Sequence, residues 1–388
     1  MSRAAAFQLL TLFQRRVNQH GGRKVSSAGY SEHLNECFNR LSDRTGDNRV
    51  TTSDFSELRH WARQLATGHS QYFDATDGSP QLVTLLRELD WLILDSVVGV
   101  RTLEGNFSNF ENLPTSLQSD EIFASSVSEV IMRQPVAEFK SMWTRRVTER
   151  IPLQYICKTA HWRDLKLFVN ESVLIPRPET ELLIEFVREV LRCETPVKSE
   201  LCASTPRIPA GPWVDMGTGS GAIAIALARE IRSLRPDQDC KVYAVDVSTE
   251  AAQVAQHNVN LHGLDEAVTV INGCWFEPFK PTFQCAAIIS NPPYIPTIML
   301  SALQPEVRLH EPRLALDGGV KDGSEKTIIV CDGAARHLLP GGFLALEMHG
   351  LEQAKQVASY LAMSGKFTDI QIRADYCSVS RFITARKL

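Results

Sequence analysis

At 388 residues, with 44% hydrophobic content and a net charge of −4, the chain is long enough for two domains and has an ordinary globular composition. So small a charge argues against a large phosphate-binding footprint, and no stable nucleic-acid binding is expected. No apolar run approaches the ~20 residues of a membrane helix, so no membrane partner is expected. The nine cysteines are odd in number and scattered, without a Cys-x-x-Cys pair, which argues against a disulfide framework and a cysteine-rich zinc site.

In chain order, the first residues stand apart. Between Met1 and Ser31 there is no acid, while Arg3, Arg15, Arg16, Arg23 and Lys24 are basic and Phe7, Leu10, Phe13 and Val17 recur at helical spacing. This is the composition of a mitochondrial transit peptide, placed over residues 1–29, and it implies a matrix location. Residues 30–154 read as a small helical domain, with no strand signal. Its helices are expected from Ser53 to Leu65, from Ser79 to Val100, and from Ser125 to Ile151 with a break at Pro135. Residues 155–178 read as a β-hairpin linker: Leu165, Leu167 and Val169 alternate, and Val173-Leu174-Ile175 returns after Asn170-Glu171-Ser172. A helix follows from Glu179 to Arg192, then a loop rich in Pro, Ser and Thr from Cys193 to Pro212.

From Gly211 onward strand and helix signals alternate, so residues 179–388 are expected to form an α/β domain of Rossmann type, a mostly parallel sheet with helices on both faces. Ligands in such a sheet bind beyond the carboxyl ends of the strands, where the strand order reverses.

Two stretches carry chemistry. Asp215-Met216-Gly217-Thr218-Gly219-Ser220-Gly221 lies between a strand and a helix. Its glycines permit a tight turn and close approach of a ligand to the backbone, and the helix N-terminus suits a carboxylate or phosphate. Asp246, closing the next strand, suits ribose hydroxyls. Gly217, Gly219 and Ala222 also satisfy the looser dinucleotide pattern, so the loop alone leaves the nucleoside cofactor open.

The second stretch, Asn291-Pro292-Pro293-Tyr294, ends a buried strand. The prolines remove N–H donors and leave carbonyl acceptors, and the Asn side chain adds another acceptor. Two fixed acceptors can hold both hydrogens of one NH2 group, and Tyr294 offers a flat face to a planar amide or base. Such a clamp helps a conjugated nitrogen pyramidalise and take up an alkyl group; hydride transfer has no use for it. The pair of motifs therefore favours S-adenosylmethionine over NAD, with no metal.

With these segments in place, residues 142–388 resemble the HemK/PrmC protein-(glutamine-N5) methyltransferases. The matches are Arg150-Ile151-Pro152-Leu153-Gln154-Tyr155-Ile156, Leu174 to Glu181, Asp215 to Ala222, Asp246, Ser290 to Ile295, Glu311 to Leu316, and Gly341-Gly342-Phe343 through Glu347. The resemblance implies a class I S-adenosylmethionine-dependent methyltransferase domain behind a helical domain and a β-hairpin. It implies that Gly217, Thr218, Gly219, Ser220 and Gly221 carry the methionine end of the cofactor, Asp246 its ribose and Trp275 its adenine. Asn291, Pro292, Pro293 and Tyr294 would hold the substrate amide, Asn291 also bordering the cofactor. The implied substrate is the glutamine of the Gly-Gly-Gln loop of a class 1 peptide chain release factor, here a mitochondrial one. The competing reading is a methyltransferase for an exocyclic amino group of adenine or guanine in DNA or RNA; a non-catalytic interaction module is a third. One departure stands out. Lys158 occupies a place where the family usually has glycine, so the turn before the hairpin is expected to differ if that glycine is left-handed. Arg177 is expected to pair with Glu179 or Glu181, and Glu347 is given no role.

Overall fold

The computed structural model describes residues 48–70, 80–109, 126–192, 207–236 and 241–388. The expected transit peptide and most of the 193–212 loop lie outside the described residues. The chain divides into two compact units, Met1–Leu153 and Gln154–Leu388.

The first unit corrects the all-helical expectation. Helices α1 (Thr52–Ser70), α2 (Leu82–Ser96) and α3 (Val136–Thr148) accompany a four-stranded antiparallel sheet of β1 (Arg49–Thr51), β2 (Val97–Thr102), β3 (Phe107–Asn109) and β4 (Val127–Met132), in the order β1-β4-β2-β3. Two signals misled. Val97 and Val98 resume the apolar texture of α2 after only Asp95-Ser96, and an apolar run alone does not distinguish strand from helix. In β4, Val127, Val130 and Ile131 fall at helical spacing, yet the segment pairs with β2 along its length. The core gathers Phe55, Leu58, Leu85, Leu89, Phe139 and Trp143, and the indole of Trp143 donates to the Ala62 carbonyl at 2.9 Å.

The second unit opens with a hairpin of β5 (Thr159–Trp162) and β6 (Leu165–Phe168). Its turn is Arg163-Asp164, not 170–172 as expected. Residues 170–172 form a side-chain-closed turn, Asn170 Oδ1 accepting from the Ser172 N–H at 3.0 Å. The segment after it runs without a partner strand, held by Tyr155, whose hydroxyl donates to the Val173 carbonyl at 2.6 Å. At the start of the hairpin Lys158 itself takes φ +53°, so a lysine adopts the left-handed conformation there.

Beyond helix α4 (Glu181–Arg192) comes a seven-stranded sheet of β7 (Trp213–Met216), β8 (Val242–Asp246), β9 (Val268–Asn272), β10 (Cys285–Ser290), β13 (Leu338–Glu347), β14 (Phe367–Ala374) and β15 (Ser380–Lys387). The order is β14-β15-β13-β10-β7-β8-β9, parallel except for β15. Helices α4, α5 (Ala222–Leu234) and α6 (Thr249–Leu261) contribute to the core on one face; α7 (Glu325–His337) and α8 (Leu351–Met363) pack on the other. β10 is buried along its whole length, as a central strand covered on both faces must be. A short pair, β11 (Ile295–Pro296) with β12 (Asp317–Gly319), follows the prolyl corner. The chain leaves β7 toward β8 and β9, then returns to β10 on the other side. The strand order therefore reverses between β7 and β10.

Candidate active site

Register builds the site. Met216 of β7 pairs with Val245 of β8 and with Ser290 of β10, and Ser290 pairs with Leu346 of β13. Gly217, Asp246, Asn291 and Glu347 each come one residue later, and so form one row across the carboxyl ends of four adjacent strands. The Ser290 hydroxyl, donating to the Met216 carbonyl at 2.6 Å, fastens the glycine loop to the prolyl corner.

The glycine loop is shaped for a ligand. Gly217 and Gly219 have φ +74° and +53°, and a Cβ built at either meets nothing within 4 Å, so open space lies beside the backbone. Gly221, at φ +83°, instead lies against Ala255, 3.3 Å from its Cα to a built Cβ, which brings α5 close to α6. The side chains of Thr218 and Ser220 are buried. Thr218 donates to Asp215 Oδ2 at 2.6 Å, and the Ala224 N–H donates to the same oxygen at 3.1 Å. These two residues thus present backbone rather than side chain. Asp215 Oδ1 is buried without a hydrogen-bond partner, and burial pushes this carboxyl up to about 7.

Asp246 Oδ2 accepts from the Gly219 N–H at 2.8 Å and Oδ1 from the Ser248 N–H at 3.0 Å. Each oxygen keeps a lone pair for a further donor. Asn272, which the sequence reading passed over, braces this strand end: its amide donates to the carbonyls of Asp246 and Val247 at 3.0 and 3.1 Å. Trp275 lies just past β9, half-buried against the core, with φ +48°, an outlier for a bulky residue. An open glycine cradle, a helix N-terminus and a ribose-height carboxylate fit a nucleoside cofactor that ends in a carboxylate.

On the other side of the crevice, Asn291 Nδ2 donates to Thr180 Oγ1 at 3.1 Å. Thr180 donates to Glu347 Oε2 at 2.7 Å, and the Tyr294 hydroxyl donates to Glu347 Oε1 at 3.0 Å. Burial raises the Tyr294 phenol, with Glu347 adding to the effect, so this hydroxyl stays protonated. Behind the corner, Gln353 Nε2 donates to the Tyr294 carbonyl at 3.0 Å, and Gly318 backs onto the Tyr294 backbone, where a Cβ would stand 2.7 Å away. Arg177 pairs with Glu311, not with Glu179 or Glu181, at 2.7 and 2.8 Å. The sequence reading thus missed Thr180, Glu347 and Asn272 as parts of this arrangement; the first two lie inside segments it had marked, and Asn272 lies outside them. Among the described residues, no group of three His, Cys, Asp or Glu is arranged to hold a metal.

Residues 199–301 match the Methyltransferase small domain family. The release factor glutamine methyltransferase of Synechocystis sp. is 40% identical over 341 residues, 87% of this chain and 98% of that protein. The chain belongs to the release factor glutamine methyltransferase family. Its relatives of the same name from Gloeobacter violaceus and Thermosynechococcus vestitus are 44% and 40% identical, over 63% and 66% of this chain and 77% and 82% of those proteins. Among solved structures, a methyltransferase from Pyrococcus furiosus aligns at 16% identity and TM-score 0.38, over 57% of this chain and 88% of that one. This family member is an S-adenosylmethionine-dependent methyltransferase on a class I, Rossmann-like fold.

Proposed function

We propose that this enzyme methylates the side-chain amide nitrogen of the glutamine in the Gly-Gly-Gln loop of a class 1 peptide chain release factor. The observation that carries the reading is the row across the strand ends, with the acceptor-bearing Asn291 beside Gly217. The names of the bacterial relatives, release factor glutamine methyltransferases, support the substrate class. Among the described residues neither Asn291 Oδ1 nor the Pro292 carbonyl accepts a hydrogen bond from the protein, leaving both for the two hydrogens of a carboxamide.

When bound, S-adenosylmethionine supplies an electrophilic methyl group. The chain's own residues do the rest. The backbone of Gly217, Thr218, Gly219, Ser220 and Gly221 holds the cofactor's amino-acid end, Asp246 accepts its ribose hydroxyls, and Trp275 flanks the adenine. Asn291 Oδ1 and the Pro292 carbonyl draw the two amide hydrogens toward themselves, which helps the nitrogen pyramidalise out of conjugation and stabilises the positive charge developing on it. Pro293 stiffens the corner, and the Tyr294 ring packs on the amide while its hydroxyl stays tied to Glu347. Orienting the amide nitrogen toward the glycine loop supplies the proximity term.

The test is transfer of isotope-labelled methyl to purified release factors, the site located by mass spectrometry. Labelling disappears when the acceptor glutamine is changed to Ala, and Asn291→Ala lowers kcat on the order of 10²-fold with cofactor affinity retained. Methylation of purified tRNA, rRNA or DNA with none on release factor would instead favour the nucleic-acid reading.

Residues 1–29 are proposed as an organelle-import segment, with the mitochondrial matrix as destination, on their acid-free, basic, helically patterned composition. A fluorescent fusion of residues 1–40 tests this. Signal in another organelle would redirect the assignment, and diffuse cytosolic signal would remove it.

A further inference from the structure

We infer that buried Glu347, acting through the Thr180 hydroxyl, fixes which end of the Asn291 amide faces the crevice, and so makes Asn291 an acceptor for the substrate. The inference deepens the proposed function and rests on its assignment of Asn291.

A carboxamide is nearly symmetric in shape, so packing alone does not choose between Oδ1 and Nδ2. Two hydroxyls converge on the two oxygens of Glu347, Thr180 on Oε2 at 2.7 Å and Tyr294 on Oε1 at 3.0 Å. A carboxylate receiving two O–H groups is acceptor-only, so the single proton of the Thr180 hydroxyl is committed to it. The Thr180 oxygen is then left with lone pairs, and its remaining neighbour, Asn291 at 3.1 Å, must present NH2. Rotating the amide by 180° would set Oδ1 against an oxygen that has no proton to give. It would also aim NH2 at the hydrogens of the substrate amide.

Burial makes the choice firm. Glu347 is 1% exposed and Thr180 4%, so water does not substitute for a lost partner. Three segments far apart in sequence meet here: Thr180 immediately precedes α4, Asn291 follows β10, and Glu347 closes β13. Glu347 is occupied by the two hydroxyls and acts on the substrate only through Asn291. It and Thr180 are positioning residues.

Thr180→Val keeps the branched shape and removes the hydroxyl; Thr180→Ser keeps the hydroxyl. Work at about pH 8 keeps Glu347 ionised, above the value of about 7 to which burial pushes it. The first readout needs no substrate: the side-chain amide signals of Asn291 in the 15N-labelled protein, identified by their loss in Asn291→Ala. They are expected to move in Thr180→Val, and likewise in Thr180→Ala, and to stay near their wild-type positions in Thr180→Ser. The second readout is methyl transfer to release factor: kcat falls about 10- to 100-fold in Thr180→Val and recovers to within about threefold in Thr180→Ser, while affinity for S-adenosylhomocysteine stays within about threefold throughout. Asn291 signals unmoved in Thr180→Val, or Thr180→Ser departing as far as Thr180→Val, overturn the inference. A wild-type enzyme that labels no release factor sinks the proposed function instead, and the amide signals still decide the relay.

Discussion

The guanidinium of Arg177 closes on the carboxylate of Glu311 through contacts of 2.7 and 2.8 Å, joining segments 134 residues apart. The partners are unequal: the Arg177 side chain is 30% exposed, the Glu311 side chain 2%. Arg177→Ala strands a buried carboxylate and is expected to destabilise the second unit by about 2 kcal/mol, below the value for a fully buried pair because Arg177 reaches solvent. Glu311→Gln leaves a guanidinium that water can serve and costs less. Urea unfolding of both single variants and of the double variant checks the order; a double variant as unstable as the sum of the singles would refute the coupling.

Asp246 both braces Gly219 and keeps lone pairs toward the crevice. Asp246→Ala is expected to weaken S-adenosylhomocysteine binding about 10- to 100-fold by calorimetry, with little change in thermal midpoint. Asn272→Ala, one step removed, weakens it less. Equal binding by all three proteins would disprove the ribose assignment.

Asp215 gives a pH dependence of stability. Burial raises its carboxyl from 3.8 to about 7 in the folded chain. A raised carboxyl binds its proton more tightly folded than unfolded. It therefore contributes stability that is full below its unfolded value and is lost as pH rises through about 7. In the absence of cofactor, the thermal midpoint of Asp215→Asn should gain on wild type between about pH 5 and pH 8. A constant difference across that range would mean that Asp215 does not titrate there.

Lys158 holds φ +53° on an exposed turn, where a side chain costs about 1 kcal/mol relative to glycine. Its exposed contact to Glu171, at 3.2 Å, offsets little of this. Lys158→Gly is expected to stabilise by about 0.5 kcal/mol after the unfolded-state entropy of glycine is counted. A lower melting temperature would show that the ion pair outweighs the backbone strain.

How far the sequence could be read varied with the kind of signal. The alternating strands and helices from Trp213 onward were legible because buried parallel strands are continuous apolar runs bounded by turn residues. The strands of the first unit were not, since Val127, Val130 and Ile131 mimic a helical stripe and only their pairing with β2 reveals a strand. The hairpin was assigned the wrong turn because Asn170-Glu171-Ser172 has turn chemistry of its own, which closes a side-chain turn rather than a strand pair.

What the sequence by itself determined is local: a glycine turn before a helix, an acid ending the next strand, and acceptors exposed where prolines have removed donors. These follow from chemistry within a few residues. Strand order and register, which no short window contains, decided the rest. They put Gly217, Asp246, Asn291 and Glu347 in one row, and they brought Thr180 to Glu347 across 167 residues. Glu347 had no signature of its own, because a lone acid at a strand end looks the same whether it faces water or holds two hydroxyls in the dark.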